Sequence, residues 1–240
     1  SNSGKTALMQ AAANNTRADI AAFLIQNGAQ INAQDNEGVT PLMLAVKFKF
    51  NPEVFALLLN SGADIQIKDK RGRTVLMTAL EKNPNPDLVA LLIQKGALIN
   101  DSDRDGVTPL MLATYKKVDS KIFKRLIQGG AQINAQDAKG QTPLMWVALR
   151  NGDTEKALLL IQNGAVIDQP DQAGITPLMH AAGKSANLVQ VLFKSGASVT
   201  AKDKAGRTPL IWAVQHKGPA EDLNWLIDYG ADINAPDNQG

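Results

Sequence analysis

Residues 3–13, SGKTALMQAAA, are the first stretch of this sequence whose residue types and spacing suggest chemistry. A phosphate-binding Walker A loop ends in Gly-Lys-Ser/Thr before a helix, and its backbone N–H groups surround the phosphates of a nucleotide. Gly4, Lys5 and Thr6 match that ending, but the first glycine of the motif and its preceding strand do not occur. The pattern Gly-x-Thr also recurs six more times, with valine, arginine, glutamine or isoleucine in place of the lysine. A nucleotide site is therefore not predicted.

Histidines and aspartates are the other residues that could support catalysis or hold a metal ion. His180 and His216 are the only histidines, and two histidines without a third ligand make a weak metal site. One aspartate recurs in the same position of a repeated turn: Asp35, Asp69, Asp103, Asp137, Asp171, Asp203 and Asp237. An aspartate in a tight turn accepts hydrogen bonds from the backbone of that turn, so we predict a structural role for this series. The sequence predicts no enzyme activity, no metal site and no cofactor.

Composition sets few limits on the function of the chain. Its 240 residues carry a formal net charge of +2, which is too small to identify a partner. No run of 18 apolar residues occurs, so no membrane span is expected. The absence of cysteine excludes disulfides and fits an oxidising compartment such as a bacterial periplasm, with the cytoplasm as the alternative. Because the sequence starts inside one repeat and stops inside another, we expect it to be part of a longer protein.

A repeat of 34 residues organises the chain. The methionines all follow this spacing: Met9, Met43, Met77, Met111, Met145 and Met179. A series of glycines follows it too, with one shorter step of 32 residues: Gly28, Gly62, Gly96, Gly130, Gly164, Gly196 and Gly230. The chain is therefore predicted to form one domain, 1–240, of seven repeats at about 1–34, 35–68, 69–102, 103–136, 137–170, 171–202 and 203–236, with a further turn beginning at residue 237.

One repeat, residues 35–68, shows how each unit should fold. Thr40 and Pro41 are typical of the start of a helix, as the N-cap and the first helical residue. A short inner helix follows, and a turn at Asn51-Pro52 begins a strongly apolar outer helix that ends at Gly62. Neither helix could bury its apolar face alone, so copies must stack against each other. The sequence predicts an all-α repeat solenoid of helix–turn–helix units joined by β-hairpin-like turns.

The pattern DxxGxTPLMxA…LLLxxGADIN resembles the ankyrin repeat over essentially the whole chain. Two features differ from the family. The family usually carries histidine after Thr-Pro-Leu, where this chain has methionine or Ile211, and the family's period is 33 residues, whereas that of this chain is 34. The resemblance implies a curved array whose turn tips and inner helices form a concave, partner-binding side, and the methionine-rich style is similar to bacterial members. The sixth unit is two residues shorter between its helices. This change is either a harmless shortening of the turn or a bend that makes room for a partner.

Positions that vary between repeats carry aromatic and basic residues on one side of the inner helices and at the turn tips. Trp, Tyr and Arg are the residue types most enriched at binding hot spots. For Trp146 and Trp212, packing against a neighbouring helix is the alternative, because leucine fills the same position in two other units. The predicted partner-binding residues are Phe48, Phe50, Lys70, Arg71, Arg73, Arg104, Tyr115, Lys116, Trp146, Arg150, His180, Arg207, Trp212 and His216.

Basic residues far outnumber acidic ones at the variable positions, and a basic face would attract an acidic surface patch of a folded protein. Solubility alone is the simpler explanation of this bias. The leading hypothesis is a non-enzymatic protein-binding module, with inhibition or occlusion of a partner enzyme as a specific form of that role. A nucleic-acid-binding array is one alternative, although the sequence pI of about 8.7 falls short of the usual basic footprint. A scaffold region of a longer enzyme is another. No small-molecule substrate is predicted.

Overall fold

The computed structural model describes residues 3–14, 18–47, 51–115, 118–150, 152–218 and 220–239. Fourteen helices and no strand occur in these residues, and short and long helices alternate along the chain. The short helices are α1 (Ala7–Ala13), α3 (Pro41–Lys47), α5 (Val75–Lys82), α7 (Pro109–Leu112), α9 (Pro143–Arg150), α11 (Pro177–Ala181) and α13 (Pro209–Gln215). The long helices have nine residues each: α2 (Ala18–Gln26), α4 (Pro52–Asn60), α6 (Pro86–Gln94), α8 (Ser120–Gln128), α10 (Thr154–Gln162), α12 (Ala186–Lys194) and α14 (Ala220–Asp228). The predicted all-α repeat solenoid is confirmed.

Threonine caps start the short helices, as the sequence predicts. The Thr40 hydroxyl accepts a hydrogen bond from the backbone N–H of Met43 at 3.2 Å, and Thr74 does the same for Met77 at 3.3 Å. Such a cap contributes about 1 kcal/mol to helix stability. At Thr108 the bond is reciprocal, because the sulfur of Met111 accepts from the backbone N–H of that threonine. The methionine of the repeat therefore contributes both to the buried core and to the helix start.

The chain divides into two compact units by the packing of its backbone. Unit 1 contains residues 1–113 and 128–130, and unit 2 contains residues 114–127 and 131–240. In unit 1 the short helices pack in the order α1, α3, α5 and α7. In unit 2 the order is α9, α11 and α13 for the short helices and α10, α12 and α14 for the long ones. Within each unit, helix pairs thus bury their apolar faces against each other. The boundaries of the seven repeats stay a prediction.

The turn aspartates accept hydrogen bonds from their own backbone, which confirms their predicted structural role. Asp69 Oδ1 accepts from the N–H groups of Arg71 at 2.8 Å and Arg73 at 2.9 Å. Within each unit, successive turns are joined by backbone bonds, such as the one from the Lys70 N–H to the Glu37 carbonyl at 2.8 Å. A Cβ on Gly38 would lie 2.8 Å from the Lys70 nitrogen, so this close approach requires glycine.

The shortened sixth repeat packs closely against the helix pair that follows it. Helix α11 ends at Ala181, and Gly183 has a φ of +75°. A Cβ on Gly183 would lie 2.8 Å from the Cβ of His216 and 2.9 Å from the carbonyl oxygen of Ala213. This turn therefore lies in close contact with α13, and a residue larger than glycine at position 183 would clash there.

Candidate functional site

The predicted binding residues of unit 1 that the structure describes are basic, and part of their charge is already neutralised. Lys70, Arg71 and Arg104 lie at exposed turn tips. Arg73 is half-buried, and its guanidinium forms an ion pair with Glu81 of α5. Arg71 and Arg73 border a groove that holds charges of both signs: Lys5, Lys47, Arg71, Arg73 and Lys82 together with Asp35, Glu37, Asp69 and Glu81. Phe48, Phe50 and, in unit 2, Lys116 lie outside the described residues.

Unit 2 brings most of the predicted aromatic and basic residues together. Four of them lie on α9, α11 and α13, Arg207 and His216 lie just outside the two ends of α13, and Tyr115 precedes α8. We call this set the aromatic row: Tyr115, Trp146, Arg150, His180, Arg207, Trp212 and His216. Since α9 packs against α11 and α11 against α13, the residues on and beside these helices form a continuous row, and Arg150 joins Tyr115 to it.

Arg150 lies between two aromatic rings of the row. Its guanidinium carbon is 4.8 Å from the centroid of the Tyr115 ring and 4.8 Å from that of the Trp146 ring. The Arg150 residue is exposed, Tyr115 is half-buried and Trp146 is only 8% exposed. A cation–π contact is worth about 0.5–1 kcal/mol at exposed sites and more when it is desolvated. Two such contacts hold this cation at the surface in a defined place.

Three rings of the row form hydrogen bonds with turn aspartates, and the sequence did not lead us to predict these bonds. In each case the ring residue follows the aspartate by nine positions. The bonds to the aspartate Oδ2 come from Trp146 Nε1 to Asp137 at 2.9 Å, His180 Nε2 to Asp171 at 3.1 Å and Trp212 Nε1 to Asp203 at 2.9 Å. The same position in unit 1 holds Leu44, Thr78 and Leu112, which carry no ring nitrogen. The sequence signal that could have revealed these hydrogen bonds is a side chain with a ring N–H nine residues after the turn aspartate.

Trp212 is the centre of the second cluster in the row. The Arg207 guanidinium carbon lies 4.4 Å from the Trp212 ring centroid, and the His216 ring stacks on the same indole at 5.1 Å with an interplanar angle of 13°. Arg207 Nε also donates to Asp203 Oδ2 at 2.8 Å. Much of the Arg207 charge is therefore neutralised inside the protein.

The charge states of Asp203 and His180 follow from their surroundings. Burial opposes ionisation of Asp203, but hydrogen bonds from the Arg207 backbone, the Trp212 indole and the Arg207 guanidinium outweigh it and lower the pKa of that carboxyl. For His180, which is 5% exposed, burial lowers the pKa, and the bond to Asp171 offsets only part of that effect. Asp203 is therefore a stable anion, while His180 is a neutral supporting ring at pH 7.

The row thus has an accessible part and a buried part. Arg150 and His216 are exposed, Tyr115, Arg207 and Trp212 are half-buried, and Trp146 and His180 lie beneath them. The packing alternative raised for Trp146 describes its position well, and its direct contact with a partner stays a prediction. In the part of the chain that the structure describes, no group of three His, Cys, Asp or Glu residues could hold a metal ion. No described helix is long and apolar enough to cross a membrane.

The fold and the row define a class of protein, the all-α repeat solenoid with variable side chains on its short helices. A family model described as three copies of ankyrin repeats matches residues 1–69, 42–137 and 115–203, and a model of a single ankyrin repeat matches residues 205–238. The chain belongs to the ankyrin-repeat family. A search of curated proteins found no significant match. Ankyrin repeats generally mediate protein–protein interactions.

Proposed function

We propose that the chain is a non-enzymatic protein-binding module and that its aromatic row contacts an acidic surface of a folded partner. The observation that carries this proposal is the exposed Arg150 guanidinium held between the Tyr115 and Trp146 rings. A guanidinium is planar and always charged, and its forked N–H groups match a carboxylate. The flanking rings are neutral, so a carboxylate of a partner would add charge-assisted hydrogen bonds to the contacts that Arg150 already makes.

Preorganisation supports a binding role for this arrangement. A free arginine side chain loses rotamer entropy when it binds, at a cost of about 0.5–1.5 kcal/mol. The ring contacts of Arg150 and the Asp137 bond that fixes Trp146 have already restricted this freedom in the folded chain. A partner carboxylate would therefore meet a cation that is already in place, flanked by apolar ring edges that exclude water.

The second cluster of the row extends the proposed contact. His216 is exposed over the Trp212 ring, so a partner would meet a flat aromatic surface there. The Arg207 charge is paired with Asp203, and we expect it to contribute less than Arg150. We place the centre of the interface at Arg150, with the Trp212 cluster as an apolar contact towards one side. A partner enzyme whose active site lies on the contacted surface would be inhibited by occlusion.

The test compares Arg150→Ala with Arg125→Ala, an exposed arginine of α8 in the same unit. The native chain and both variants are used to capture proteins from a lysate of the source organism, and each enriched protein is then titrated by calorimetry. Hot-spot truncation costs about 2 kcal/mol or more, which corresponds to about 30-fold weaker binding. We expect that loss for Arg150→Ala only. Equal affinities of the two variants would refute the proposal.

Two further measurements separate the proposed function from its alternatives. If the partner is an enzyme, its own activity with and without the chain tells whether binding inhibits it. Titration with a single-stranded oligonucleotide at several salt concentrations tests nucleic-acid binding, which would weaken steeply as salt rises. Activity of the full-length gene product tests the alternative of a scaffold region within a longer enzyme.

A further inference from the structure

A lysine is fully buried at the start of the long helix α10. The Lys156 side chain is 1% exposed, and its ammonium donates hydrogen bonds to the backbone carbonyl oxygens of Tyr115 at 2.9 Å and Val118 at 3.0 Å. Asp153 Oδ2 lies 3.6 Å from the same nitrogen, and the Phe123 ring centroid lies 5.9 Å away. Burial lowers the pKa of this lysine, and Asp153 offsets part of the effect. Such a cation is costly to bury unless its hydrogen bonds are well satisfied.

The other repeats show that stacking does not require a lysine at this position. Lys156 comes eight residues before the glycine that follows its long helix. Five other long helices carry an apolar residue in the corresponding position: Ile20, Val54, Leu88, Ile122 and Leu188. Four of these are buried, so an apolar side chain fills the same space without a desolvation cost. The lysine must therefore be explained by what its ammonium binds.

We propose that Lys156 is a positioning residue that fixes Tyr115 against Arg150. The proposal rests on the function proposed above, because it explains how one side of the Arg150 site is held. The Tyr115 carbonyl accepts hydrogen bonds from the Lys156 ammonium and, at 3.0 Å, from the backbone N–H of Val118. The lysine therefore restrains the backbone at Tyr115 from the buried side. Lys156 thus acts on the backbone of Tyr115, and the ring of Tyr115 acts on the guanidinium of Arg150.

The test uses Lys156→Met, which shortens the side chain by little more than its ammonium and places an apolar residue where five other repeats have one. Lys124→Met is the matched control, since Lys124 is an exposed lysine of the same unit. Nuclear magnetic resonance measures the hydrogen exchange of the Val118 amide and the Nε–H signal of Arg150. Lys156→Met should fold with an equal or higher melting temperature, exchange the Val118 amide at least tenfold faster, and move the Arg150 signal toward that of a free arginine.

The outcomes that overturn this inference are distinct from those that support it. Native Val118 and Arg150 signals in Lys156→Met would show that the lysine does not position Tyr115. Failure of this variant to fold would show that an apolar residue does not replace the lysine in packing, which also overturns the inference. Lys156→Arg keeps the charge and the donors, so it should retain slower Val118 exchange than Lys156→Met. Faster exchange in Lys124→Met would show that the effect is not specific.

A hexaglutamate peptide distinguishes this inference from the proposed function. In the native chain the peptide should shift the Arg150 Nε–H signal, and in Lys156→Met it should shift that signal less. If Lys156→Met alters the Val118 and Arg150 signals but the peptide shifts the Arg150 signal in neither protein, Lys156 still positions Tyr115 and the acidic-partner proposal fails. If the peptide shifts both proteins equally, the binding role survives and the positioning inference fails.

Discussion

The turn aspartate Asp203 provides the sharpest test of how the aromatic row is held together. Its Oδ1 accepts the backbone N–H groups of Ala205 and Arg207, both at 2.9 Å. Its Oδ2 accepts the Arg207 Nε–H at 2.8 Å and the Trp212 indole N–H at 2.9 Å. In Asp203→Asn the amide oxygen can replace only one of these carboxylate oxygens. We predict that the amide nitrogen then faces the side-chain donors and that both of their bonds are lost.

The expected cost follows from these two bonds. A hydrogen bond to a charged group contributes about 1.5–3 kcal/mol, and the Asp203 side chain is 1% exposed, so water cannot replace it as acceptor. Arg207 is partly exposed and regains hydration, which places the expected loss at about 3–4 kcal/mol in the free energy of unfolding. Asp35→Asn is the matched control, because the Asp35 Oδ1 bonds to the N–H groups of Glu37 and Val39 are retained by an amide oxygen. That variant should lose less than about 1 kcal/mol.

Urea unfolding followed by circular dichroism measures both variants, and the two units need not unfold in one transition. The pH dependence gives a second check on Asp203. Its pKa is lowered in the folded chain from the ordinary value of 3.8, so its stabilising contribution is present above pH 4 and is lost as the pH falls through the folded value. Asp203→Asn should lack this part of the acid destabilisation. Equal losses in the two variants would refute the view that the Oδ2 bonds stabilise unit 2.

Three further perturbations have defined expected outcomes. Gly38→Ala and Gly62→Ala both place alanine at a positive φ, which costs about 1–2 kcal/mol. Only Gly38 faces backbone atoms, so urea titration should show the larger loss in the free energy of unfolding for Gly38→Ala. Burial lowers the pKa of His180, so the unfolded state binds more protons below about pH 6.5, and the free energy of unfolding should decrease as the pH is lowered from there towards the folded pKa. His180→Gln can still donate to Asp171 and should remove this pH dependence. Trp146→Phe removes the indole donor, so partner affinity should fall in calorimetry, and unchanged affinity would contradict the role given to the anchored ring.

The local signals of the repeat were sufficient to predict the helices and the turns. The Thr-Pro starts define the N-caps, and the hydrogen bond from Met43 to Thr40 is the interaction that such a start predicts. The turn aspartates were assigned correctly to their backbone roles, as the two bonds to Asp69 Oδ1 show. These features depend on residues within one or two turns of each other. Local interactions of this kind recur in every repeat, so comparison of the copies reveals them.

The contacts behind the aromatic row were not predicted, because they join residues from different parts of a repeat or from neighbouring repeats. The aspartate has a second oxygen whose use depends on which residue follows nine positions later, as in the Trp146 bond to Asp137. The ring contacts of Arg150 depend on a turn 35 residues earlier in the chain, which carries Tyr115. Lys156 was missed because a lysine in an outer helix is ordinarily a solvated residue. Its burial follows only from the position of two backbone carbonyls.

The comparison of repeats suggests how polar contacts came to accumulate behind one face of unit 2. The repeat stacks with leucine or threonine at the ring position in unit 1 and with aliphatic residues at the Lys156 position of other long helices. Stacking energy alone therefore does not select the indoles of Trp146 and Trp212 or the buried ammonium. Trp146 contacts Arg150, Trp212 contacts Arg207 and His216, and the ammonium binds the Tyr115 carbonyl; these contacted residues lie nearer to the surface and belong to the aromatic row. Interactions that cost desolvation but restrict surface side chains are expected where a partner binds, because they lower the entropy lost on binding.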